Sequence, residues 1–125
     1  MSDFSRISFN FSKIFIHNIK KMNFFICYDI SDDKRRLHLA KLLLRTGCKR
    51  VQKSVFIAID FERSEMLHLK THVDTLLNKR YTEGVSLEDS VLYIPLDNDA
   101  VKNVVWEGNS TKWTELWKKK QGIFF

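Results

Sequence analysis

Proline occurs once and glycine four times in the 125 residues of this chain. So few turn formers exclude a proline-rich linker, a low-complexity tract or a collagen-like array, and no internal repeat is present. Cysteine is nearly absent too. Cys27 and Cys48 stand alone, outside any CxxC pair, which excludes a disulfide framework and fits a reducing cytoplasm. Apolar runs fall far short of the roughly 20 residues that cross a bilayer, so a soluble chain is expected. The 44% of residues that are hydrophobic suit one domain around one core.

Acids are missing from one stretch. Between Lys34 and Lys53 stand Lys34, Arg35, Arg36, Lys41, Arg45, Lys49, Arg50 and Lys53, with no Asp or Glu among them. The net charge of +6 is therefore concentrated on a helix and the strand after it. A block of one sign raises the surface potential and attracts polyanions, nucleic acid first. The plainer alternative is a solvated helix face.

Residues 1 to 21 carry neither cap nor turn signals. Their apolar part, Ile14 to Ile19, is broken by His17 and Asn18 and lacks a small-residue cleavage site, which argues against a secretory signal. Arg, Lys and Ser with almost no acid give a faint likeness to an organellar transit peptide. The reading adopted is a peripheral extension, with Met22 a candidate start.

From Met22 the pattern becomes regular. Asn23 to Ile30 predicts a buried strand, and Ser31, Asp32 and Asp33 supply helix-cap chemistry. Leu37, Leu39, Ala40, Leu43 and Leu44 form the apolar face of a helix that Gly47 ends. Arg50 to Asp60 alternates with period two around Gln52-Lys53-Ser54, as a bent strand or a tight hairpin. Met66, Leu69, Val73, Leu76 and Leu77 predict a second helix after Ser64. Ser90 to Leu96 predicts another strand, Val101 to Trp106 an added last one, and Thr111 to Phe125 a tail helix. The domain then spans residues 22–110. The order β-α-β(β)-α-β places helices on one face of a mostly antiparallel sheet, an α+β, ferredoxin-like arrangement. A doubly wound sheet would want a glycine-rich first turn, and Asp29-Ile30-Ser31-Asp32 has none.

The stretch NFFICYDISDDKRR poses the functional question, because its apolar run stops on Asp29. Together with GCKRVQKSVFIAI and DSVLYIPL, it closely resembles the small CRISPR-associated endonuclease family of the spacer-acquisition machinery, over about residues 22 to 107. The resemblance implies a ferredoxin-like homodimer whose last strand pairs with the partner's sheet. It also implies work beside the CRISPR integrase in antiviral defence. The family's metal-ligand aspartate falls on Asp29, with Tyr28 its strand neighbour, Arg36 the helix base, Arg50 the base opening the second strand, and Ser54 and Phe56 supporting. His38 stands where some members carry another arginine.

Three functions follow as expectations. The first is an Mg²⁺- or Mn²⁺-dependent endonuclease in which two Asp29 carboxylates, one from each protomer, share an ion that activates water. Lys34, Arg35, Arg36, Arg50 and Lys53 neutralise phosphate in RNA or DNA, and Phe56 packs beside the nucleic acid or within the dimer core. The second is a non-catalytic scaffold that holds duplex DNA through phosphate contacts alone, with Asp29 a helix cap or turn residue. The third is a toxin-like ribonuclease. An RNA-recognition module is disfavoured, since its aromatic glycine motif is missing.

Several residues read more plainly. His68 and His72 have zinc spacing, but Leu69 stands where a metalloprotease carries Glu, and solvent exposure is expected. Cys27 shares the Asp29 side of its strand, and core packing is expected of it. Trp106, Trp113 and Trp117 suit a partner anchor or a cover for the added strand. Lys118 to Lys120 suit a solvated end.

Overall fold

In the computed structural model, which describes residues 21–78, 85–109 and 115, the two periodicities separate cleanly. The elements run β1 (Met22–Asp29), α1 (Asp33–Thr46), β2 (Lys49–Gln52), β3 (Val55–Phe61), α2 (Arg63–Leu77), β4 (Ser90–Leu96) and α3 (Asn98–Lys102). The sheet order is β2-β3-β1-β4, and every neighbouring pair is antiparallel. This is the expected α+β split βαβ arrangement.

Strand alternation assigns the faces. Phe24, Ile26 and Tyr28 of β1, with Phe56 and Ala58 of β3, turn toward the helices and meet Leu39, Leu43, Met66, Leu69 and Val73 in one core. Phe25 of β1 and Val55, Ile57 and Ile59 of β3 turn the other way, with Val51, Leu96, Val104 and Trp106. No helix among the described residues covers that second face. Leu92 and Ile94 of β4 lie 59% and 39% exposed. Pro95 is accommodated because β4 is an edge strand, where a missing N–H breaks no ladder.

Local chemistry sets the helix ends. Asp32 is extended and its carboxylate accepts from the Arg35 N–H at 2.9 Å, opening α1. Gly47 closes it at φ +102°, a conformation that a side chain would strain. The α1 stripe that packs is Leu39, Ala40, Leu42 and Leu43. Leu37 and Leu44, expected on the apolar face, lie on the outer side of the cylinder, 56% and 51% exposed. α2 begins one residue before Ser64, where the Glu62 N–H donates to the Glu65 carboxylate at 2.9 Å. Lys53 and Ser54 form the turn of a tight hairpin, the second of the two readings of Arg50 to Asp60.

Three expectations are corrected. Val101 to Trp106 is not a strand: the Asp97 carboxylate caps α3 by accepting from the Ala100 N–H at 2.7 Å, and Val101 is buried beneath it. Cap chemistry outweighs the β preference of the valines, and residues 104–107 form no ladder with any described strand. Cys27 is not core. It is half-buried on the helix-free face, in a groove of about 320 Å³ lined also by Phe25, Val51, Val55 and Trp106. Phe56, expected beside nucleic acid or in a dimer core, is wholly buried in its own protomer. The readings of residues 1–20 and of Trp113, Trp117 and the lysine-rich end lie outside the described residues, as does the tail helix apart from Glu115.

Candidate functional site

The carboxyl end of β1 is where the chain's chemistry gathers. Asp29 is the last residue of the strand, exposed, and in ladder register with Ser90 of β4. It continues the alternation of Phe25 and Cys27 and so belongs to the helix-free face. The helix cap is Asp32, and Asp33 pairs with Arg36, so neither structural task falls to Asp29. Its carboxylate makes no side-chain hydrogen bond or ion pair among the described residues. A rigid strand end thus presents an uncommitted oxygen donor.

Tyr28, one residue earlier, points to the helix side and pins the neighbouring hairpin. Its N–H donates to the Ser54 carbonyl at 3.1 Å, and its hydroxyl donates to the Lys53 carbonyl at 3.3 Å. The Arg50 guanidinium lies over the Phe56 ring, 5.0 Å from its centre, and donates to the Tyr28 hydroxyl at 3.4 Å. Arg36 donates to the Ile30 carbonyl at 3.1 Å as well as pairing with Asp33. These two arginines reach the same end of the sheet as Asp29 but hold their own protomer together there. Lys34 and Lys53 are exposed and make no ion pair among the described residues, so they are the cations most open to phosphate. Tyr28, Arg36, Arg50, Lys53 and Ser54 therefore meet at one end, while Phe56 serves as the floor beneath Arg50.

One residue escaped the sequence reading. Asp89, just before β4, accepts from the Ser31 N–H at 3.0 Å, the Ser31 hydroxyl at 3.1 Å and the Ser86 N–H at 3.0 Å. It ties the loop leaving β1 to the loop entering β4, on either side of the Asp29–Ser90 pair. The available signal was an acid directly before an apolar run: antiparallel pairing brings the start of β4 beside the end of β1. Desolvation pushes the Asp89 carboxyl up. The Ser31 and Ser86 amides, the Ser31 hydroxyl and the Arg35 charge outweigh it and hold the group below its ordinary value. A depressed carboxyl contributes stability that is present at neutral pH and lost as acid protonates it, below roughly pH 4. Asp89→Asn is therefore expected to lower the thermal midpoint by a few degrees at neutral pH and to flatten the acid limb of the stability curve. Thermal melts across pH check both, and an unchanged acid limb would refute the clamp.

The thiols are poor nucleophiles. Burial pushes Cys48 up to about 12 and raises Cys27 as well. Among the described residues, no three His, Cys, Asp or Glu side chains converge as one chain's metal site. No helix is long and apolar enough to cross a membrane.

A family profile described as "CRISPR associated protein Cas2" matches residues 22–104, all four strands and both long helices. The chain belongs to the Cas2 family. It is 42% identical over 76 residues to a protein of Synechocystis sp. named CRISPR-associated endoribonuclease Cas2 2, a match covering 60% of this chain and 72% of the relative. A Thermus thermophilus protein named CRISPR-associated endoribonuclease Cas2 is 43% identical over 61 residues, covering 49% of this chain and 63% of that one. Among solved structures, a chain of a partial Cas6-RT-Cas1–Cas2 complex superposes with a TM-score of 0.55 at 27% identity, covering 67% of this chain and 88% of its own. The Cas2 match spans the Asp29 strand end, the basic helix and the Tyr28-pinned hairpin.

Proposed function

We propose that this Cas2-family protein is an endonuclease that works with a Cas1 integrase in spacer acquisition, cutting phosphodiester bonds with the help of Mg²⁺ or Mn²⁺ held at Asp29. The observation that carries the reading is the uncommitted Asp29 carboxylate on a rigid strand end. A hard divalent ion takes oxygen ligands, and one carboxylate is a sparse set. The alternation of β1 supplies the remedy. Asp29 shares the helix-free face with Phe25, Ile57, Leu92 and Ile94, so two protomers meeting through that face about a two-fold axis bring two Asp29 side chains together. Such an ion polarises a phosphodiester and lowers the pKa of bound water. The chain's own residues do the rest. Asp89 and Ser31 fix the loop after Asp29, Arg36 and Arg50 brace the strand end, and Lys34 and Lys53 draw in phosphate.

A purified sample, incubated with labelled single-stranded RNA and with duplex DNA, tests the reading. Cleavage is expected with Mg²⁺ and is expected to stop on adding a chelator. Cleavage that survives chelation would overturn the metal assignment. The exposed Lys34 and Lys53 favour a second reading, a DNA scaffold without catalysis. Tight binding with no cleavage of either substrate would select it.

A further inference from the structure

Away from the end of β1, three histidines gather where α1 and α2 lie side by side. His68 and His72, one turn apart on α2, bring their rings edge to face with centres 4.4 Å apart. His72 also lines a groove of about 270 Å³ between the helices, with His38, Leu42, Arg45, Thr75 and Leu76. Both α2 imidazoles are exposed, as expected, and lie off the Met66-Leu69-Val73-Leu76 stripe that enters the core. Neither packing nor the strand-end chemistry accounts for them.

We propose that His68 and His72 chelate a divalent ion of the zinc class beside the groove between α1 and α2. Imidazole nitrogen suits Zn²⁺, Cu²⁺ and Ni²⁺, whereas the carboxylate Asp29 suits harder ions, so the two regions would sort metals by softness. Zn–N bonds of roughly 2.0–2.1 Å in a tetrahedral array place two ligating rings with centres about 5 Å apart. The observed 4.4 Å reaches that through small side-chain rotations. The two rings supply half of a tetrahedral set, and with no three-residue cluster among the described residues the other positions fall to water or to donors from another molecule. That is the composition of an open site, which can join this helix to a second macromolecule. An ion bridging residues four apart also fastens one turn of α2.

Zinc alone is the probe. Titration calorimetry on the full-length, tag-free protein is expected to show a zinc site that weakens as pH falls from about 7.5 to about 5.5, because a ligating imidazole must be neutral. His68→Asn and His72→Asn each remove one of two ligands and are expected to weaken that site at least about tenfold, since losing a mere outer-shell partner costs 10–100-fold. Both side chains are exposed, so circular dichroism should show an unaltered fold. Cys27→Ser should leave the site intact. The proposal is overturned if the wild type binds no zinc, if both histidine variants bind as the wild type does, or if only Cys27→Ser or His17→Asn removes the site.

Discussion

Asp29→Ala is expected to lower metal-dependent cleavage by about two orders of magnitude or more while leaving nucleic-acid affinity nearly unchanged. A bound metal ion contributes several kcal/mol of transition-state stabilisation, and each 1.36 kcal/mol is about tenfold in rate. The side chain is exposed, caps no helix and makes no hydrogen bond among the described residues, so its loss should cost little stability. The contrasting variant is Lys34→Ala with Lys53→Ala. It is expected to weaken duplex binding and to reduce the log–log salt slope by about 1.8, at roughly 0.9 per phosphate contact. Rates at saturating Mg²⁺ and binding curves at several salt concentrations separate the two effects. If Asp29→Ala cleaves at the wild-type rate, the carboxylate is not the metal ligand. If the salt slope does not move in the lysine pair, those bases are not the footprint.

The sequence yielded what depends on neighbours along the chain. A capping acid, a glycine stop and an apolar stripe with three-four spacing are local, and α1 and α2 follow from them. The hairpin at Lys53–Ser54 and the tip position of Asp29 also follow, because they need only alternation and a polar break. What was misread depends on which sheet face the helices cover. Cys27 and Asp29 were placed on one side correctly, but that side is the helix-free one, so Cys27 lines a groove instead of the core. Phe56 was read as a contact for others because its position in the family motif says nothing of burial. Arg50 looked like a free cation until the ring beneath it came into view. Asp89 stayed hidden for a topological reason: its partner Ser31 lies 58 residues away, and only antiparallel pairing of β1 with β4 joins them. Leu37 and Leu44 show the limit of helical periodicity. On a leucine-rich helix, spacing permits several stripes and packing selects one.

The helix-free face carries the other large effect. Leu92→Lys with Ile94→Lys is expected to convert a dimer into a monomer and to abolish cleavage along with it. Both residues are substantially exposed in the single protomer, so the lysines remain hydrated there and the fold should survive. Within a dimer closed over Phe25, Ile57, Leu92 and Ile94, four added charges would be buried without partners, at a cost of several kcal/mol per ion. At about 1.4 kcal/mol per tenfold, that weakens association by several orders of magnitude. A contiguous apolar surface of this kind on a small domain is the usual mark of a binding face. Light scattering behind size exclusion reads the mass, circular dichroism the fold and the cleavage assay the consequence. A folded monomer without activity is the expected result, since one chain brings only one Asp29. A folded monomer that still cleaves would show that a single carboxylate suffices, and a persistent dimer would place the interface elsewhere.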